Sequence, residues 1–95
     1  MTYLQRVLRY GHALQFIPDQ HKTYEICKAA VQKDGWAFTY VPEHTITTEL
    51  CMIAVQQYGS VLRYVPDQHK TFEICLAAIL QNSLAFDSTP SRFKI

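Results

Sequence analysis

The sequence predicts an all-α fold, a short α-solenoid of two-helix 24-residue repeats, capped irregularly at both ends. Three observations predict it. The run Thr-Tyr-Glu-Ile-Cys-Lys-Ala-Ala-Val at 23–31 returns as Thr-Thr-Glu-Leu-Cys-Met-Ile-Ala-Val at 47–55 and as Thr-Phe-Glu-Ile-Cys-Leu-Ala-Ala-Ile at 71–79. A proline stands ahead of each of these runs, at Pro18, Pro42 and Pro66. Within each run the apolar residues fall at helical spacing. A fixed period of this length marks units that stack on their neighbours to share a core.

Ninety-five residues make one domain, and 48% hydrophobic content is enough for a small core. Nine Lys and Arg against eight Asp and Glu leave a formal charge of +1 without a basic run. That balance argues against nucleic acid, whose binders carry a basic patch or stripe. No apolar stretch is long enough to span a bilayer and the N-terminus has no apolar signal core, so a soluble protein without membrane contact is expected. Cys27, Cys51 and Cys75 share one repeat position. An odd count leans towards reduced thiols and an intracellular, cytoplasmic setting. Equivalent positions on stacked helices lie ~8 to 10 Å apart, whereas a disulfide needs Cα atoms within ~7 Å. The three are expected to be small core residues.

Residues 1–12 align with the end of a repeat and are expected to form a partial N-terminal repeat or cap, with Tyr3 where the other copies have cysteine. Residues 13–36 are the first full repeat. Its residues 13–17 predict a short helix B closed by Pro18, and 18–22 a polar connector. Thr23 is placed as N-cap and Glu25 in the first turn of a helix A over 24–33. Ile26, Cys27, Ala30 and Val31 share the inward face of that helix. Gly35 is expected as a left-handed stop, with Trp36 folding back on the last turn. Residues 37–60 and 61–84 repeat this plan, with inward faces of Leu50, Cys51, Ala54, Val55 and of Ile74, Cys75, Ala78, Ile79. Ser83 replaces the stop glycine, which predicts a less sharp helix end. Residues 85–95 hold Pro90 in place but otherwise read as a degenerate repeat and tail.

The combination of Ala-Leu-x-Tyr-Val-Pro-[Asp/Glu] with Thr-x-Glu-Ile-Cys-x-Ala-Ala-Val-x-x-[Asn/Asp]-Gly resembles a family of uncharacterised tandem α-helical repeats catalogued as a domain of unknown function. The resemblance covers roughly residues 7–90. It implies the fold, and with it an occurrence in protists and algae, in large viruses and in effector-like proteins of intracellular bacterial pathogens. An effector-like chain would be delivered into a host cytosol. No catalytic residues come with the resemblance.

His21 with Cys27 and His69 with Cys75 could form a nucleophile pair, the thiol being one turn into a helix. The pair occurs twice, however, and the middle copy replaces its histidine by Thr45, which suits core packing better than an active site. Zinc holds its ligands ~2.0 to 2.3 Å away, and positions one repeat apart cannot converge on it. Phe16, Tyr40 and Tyr64 are expected to pack the core of helix B. The connectors line up an acidic column of Asp19, Glu43 and Asp67, beside Gln20, His44 and Gln68, then His21, Lys22, His69 and Lys70. Such an edge either is simply solvated or receives a partner. On the outer face of helix A, Met52, Leu76 and Leu80 grow apolar towards the C-terminus, to be covered by a tail carrying Phe93 and Ile95, by a partner, or by self-association. The expectation is a protein–protein interaction module, a small adaptor, regulator or effector that is not an enzyme and uses no cofactor. The alternatives are a cysteine/histidine enzyme or a structural fragment of a longer array.

Overall fold

The computed structural model describes residues 1–94. Four α-helices appear at the repeat spacing: α1 (Tyr3–Arg9), α2 (Tyr24–Lys33), α3 (Thr48–Gln57) and α4 (Phe72–Gln81). Each is followed by a six-residue 3-10 helix, at Gly11–Phe16, Gly35–Tyr40, Gly59–Tyr64 and Ser83–Ser88. A three-residue 3-10 turn follows each proline, at Asp19–His21, Glu43–Thr45, Asp67–His69 and Ser91–Phe93. The described residues contain no strand. The expected helix B is therefore a 3-10 helix that begins two residues early, at the glycine. The polar connector is itself helical.

Sequence accounts for each boundary. Thr23, Thr47 and Thr71 cap α2, α3 and α4 as expected, their hydroxyls accepting from the amides of Ile26, Leu50 and Ile74 at 3.2 to 3.3 Å. α1 carries a full capping box, because the Thr2 hydroxyl accepts from the Gln5 amide and the Gln5 side chain accepts from the Thr2 amide. The prolines sit at φ near −60° with extended ψ, and the residue before each is extended as well. Each proline carbonyl accepts from the amide three residues on and so starts the next turn.

The long 3-10 helices explain the core. With three residues per turn, side chains at i and i+3 eclipse. Gly11, Leu14 and Ile17 form one stripe, as do Gly35, Phe38, Val41 and Gly59, Leu62, Val65, and all nine are buried. Position 16 of the pattern then turns outward, which corrects the reading of the aromatic column as core. Phe16 is 78% exposed and Tyr64 50%, while Tyr40 is half-buried.

The glycines do not stop helices in the left-handed region, since no described residue has positive φ. α1 to α4 end instead on extended residues, Tyr10, Asp34, Tyr58 and Asn82, whose amides donate to the carbonyl four residues back. α4 ends at the same point as α2 and α3, so Ser83 costs the helix end nothing. The Asp34 and Asn82 side chains then accept from the amides of Trp36 and Leu84 and open the next 3-10 helix. The Trp36 side chain reaches across the junction. Its ring lies 5.9 Å from the rings of both Tyr58 and Tyr64 in the next unit. The glycines are there for close approach: a Cβ on Gly11 would stand 2.6 Å from the Ala30 oxygen, and one on Gly35 3.0 Å from the Ala54 oxygen.

The units stack in two layers, α-helix on α-helix and 3-10 helix on 3-10 helix, into a body 49 × 22 × 16 Å. Cys27, Cys51, Cys75, Ala30, Ala54, Ala78, Val7, Val31 and Val55 are buried between them. Ile26 is only half-buried, and so is Ile79, at the last unit. Residues 83–93 continue the pattern of the earlier units instead of fraying into a tail.

Candidate functional site

The connector edge divides into struts and exposed groups. The Lys22 side chain is 8% exposed, with Nζ 3.0 Å from Asp19 Oδ1 and 2.9 Å from the Tyr40 carbonyl oxygen. Lys70 repeats this with Asp67 at 3.6 Å and the Ser88 oxygen at 3.1 Å. Each lysine thus holds the end of the next unit's 3-10 helix, and Ile46 fills the same place in the middle copy by packing on the core. Lys22 and Lys70 are spoken for within the chain. Asp19, Gln20, His21, Glu43, His44, Asp67 and Gln68 remain exposed along one edge, and His69 is half-buried. The His21 ring rests 5.3 Å from that of Tyr3.

The cysteines are buried and free. Burial pushes the Cys27 thiol up to about 11, with Lys22 opposing. Burial also pushes Cys51 up to about 12 and raises Cys75. The Cys27 thiol points at the Lys22 carbonyl oxygen, 3.8 Å away. A thiol held protonated in this way is a poor nucleophile at neutral pH. No group of three His, Cys, Asp or Glu side chains is placed to hold a metal ion among the described residues.

The apolar positions behave differently from one another. Met52 is half-buried against the core. Leu76 and Leu80, one turn apart on α4, are 43% and 78% exposed. Phe93 packs edge-on against Phe72 at 5.8 Å instead of over them, and Ile95 lies outside the described residues. Leu84 and Phe86 add 74% and 46% exposure on the following 3-10 helix. These two were missed from sequence, although Leu84 follows Ser83 at the position that is histidine, tryptophan or serine in the other copies.

Polar clasps between units were missed too. Gln57 accepts from the Gly35 amide at 2.7 Å and donates to the Val31 and Gln32 carbonyls at 2.8 and 3.2 Å. Gln81 accepts from the Gly59 amide in the same way. The Tyr24 hydroxyl donates to Glu49, which also receives Lys28 at 3.3 Å. The hydroxyl's bond to Glu49 raises the Tyr24 pKa, and the same bond, then Lys28, lowers that of Glu49. Open cavities lie towards both ends of the stack. One of about 330 Å³ at the N-terminal end is lined by Met1, Arg6, Arg9, Tyr10 and Ala13. Another of about 420 Å³ lies between the last two 3-10 layers, beside Arg63, Leu84 and Asp87.

The model of a family described as a domain of unknown function (DUF4116) matches residues 3–45 and again residues 48–94. The chain belongs to this family. Each DUF4116 match takes in two of the 24-residue units, the first α1 and α2, the second α3 and α4. The packing follows the same division, α1 lying more extensively on α2, and α3 on α4, than α2 does on α3. No curated protein and no solved structure matches the chain. No DUF4116 helix among the described residues is long and apolar enough to cross a membrane.

Proposed function

We propose that the chain is a protein–protein interaction module, a small adaptor or regulator that acts by binding another protein. The observation that carries this reading is the apolar surface of the last unit. Leu80 and Leu84 are about three-quarters exposed, and Leu76 and Phe86 close to half. Clustered exposed apolar side chains mark interaction sites in soluble proteins. The Asp19, Gln20, His21, Glu43, His44, Asp67 and Gln68 edge offers polar groups at a fixed stride for register, as stacked repeats commonly do. The balanced charge favours a protein partner over nucleic acid. Three reduced thiols fit a cytoplasmic setting, in a host cytosol if the chain is effector-like.

The test compares three immobilised baits in native extract: the wild type, Leu76→Gln/Leu80→Gln/Leu84→Gln, and the control Gln56→Ser. A protein retained by wild type and control but lost from the triple variant is the expected result. Equal retention by all three would remove the apolar surface from the account.

A further inference from the structure

At every internal junction the same two positions meet. The glycine opening one unit's 3-10 helix lies against the carbonyl of an alanine on the next unit's α-helix: Gly11 on Ala30, Gly35 on Ala54, Gly59 on Ala78. All six residues are buried. At the two ends of the stack these positions hold Ser83 and Arg6, both exposed. A second copy added head to tail in the internal register would bring its Arg6 onto Ser83 of the first.

We infer that Ser83 and Arg6 close the stack against head-to-tail addition of a second copy. In that register the serine Cβ falls on the Arg6 carbonyl oxygen, at the separation of 2.6 to 3.0 Å that a Cβ would have at Gly11 and Gly35. The obstruction is between a Cβ and backbone, so no side-chain rotation relieves it. Arg6 sets a charged side chain where internal junctions have a methyl group, and it lines the open N-terminal cavity with Arg9 and Tyr10. Covering that cavity would strip water from two guanidinium groups. Arg9 adds no clasp: its place in α3 and α4 is taken by Gln57 and Gln81, which accept the glycine amide, whereas Arg9, like Lys33 at the first junction, has only donors. Head-to-tail contacts that do not close on themselves grow into filaments, and terminal repeats with altered outer faces keep stacked arrays soluble. The inference stands on junction geometry and is independent of the binding reading.

Sedimentation velocity over a concentration series on the full chain tests it, with a photo-cross-linking residue at position 84. The wild type is expected to sediment as a monomer without cross-links from position 84 to α1 of another copy. Arg6→Ala/Arg9→Gln/Ser83→Gly is expected to sediment faster as concentration rises and to form that cross-link. A wild type that cross-links from position 84 to α1, or a folded triple variant that stays monomeric, would overturn the inference.

Discussion

Gly11, Gly35 and Gly59 all have negative φ, so each could bear a side chain were it not for the neighbouring carbonyl. Overpacking of this kind costs about 1 to 3 kcal/mol. Gly59→Ala, with the closest approach, is expected to lose most in urea denaturation, then Gly11→Ala, with Gly35→Ala last. Gly35→Asn separates the two explanations of the glycine column. A left-handed stop accepts asparagine, whereas close approach makes it at least as damaging as alanine. The column itself was plain in the sequence, but its purpose was not, because the atom that excludes a Cβ belongs to the next unit. The cysteines were legible as core, and their titration gives a second test. Folding raises Cys27 from 9.0 to about 11 and Cys51 to about 12. Above pH ~9 the unfolded chain releases these protons while the folded chain keeps them, so stability should be full below that pH and fall as pH rises towards 11. Replacing both cysteines by alanine should flatten that decline, and alkylation at pH 8 should wait for unfolding.

At the scale of the element, the threonine caps and the α-helical faces followed directly from the repeat, since both depend on residues within one turn of each other. The 3-10 helices did not. Residues 13–17 and their copies are too short to show a period, and only the alignment of Gly35, Phe38 and Val41 at three-residue spacing could have revealed it. The tyrosine column was misplaced for the same reason, as a change of period rotates every side chain after the glycine. The junction clasps were hidden because Arg9, Lys33, Gln57 and Gln81 look like an ordinary outward column. Gln57→Ala removes three hydrogen bonds across one junction and should cost about 1 to 3 kcal/mol. Gln56→Ala, one residue away and exposed, should stay within about 0.5 kcal/mol. Equal effects in urea denaturation would remove Gln57 from its bridging role.

Across the whole molecule, the two DUF4116 matches and the packing divide the stack alike, after α2. That middle junction has the loosest of the glycine approaches and the densest set of polar bridges, from Tyr24 and Lys28 to Glu49 and from Gln57 to the end of α2. Because the folded state holds Glu49 below the usual carboxylate range, this bridge is complete at neutral pH and weakens as pH falls through the lowered value. The order of units and the absence of a common centre for the cysteines were legible from the 24-residue stride. The exposed apolar surface of the last unit was legible only in part, because the exposure of Leu84 and Phe86 depends on the packing of the 3-10 helix that carries them.

The stride itself is open to direct measurement by pulsed electron resonance between spin labels at Leu8, Gln56 and Leu80, which hold one outward place in the first, third and fourth units. A stack with ~10 Å between neighbouring helices predicts that the 8–80 distance exceeds the 8–56 distance by half, near 30 and 20 Å. An 8–80 distance no longer than the 8–56 distance would mean that the units fold back on one another, and the account of a linear stack would fail.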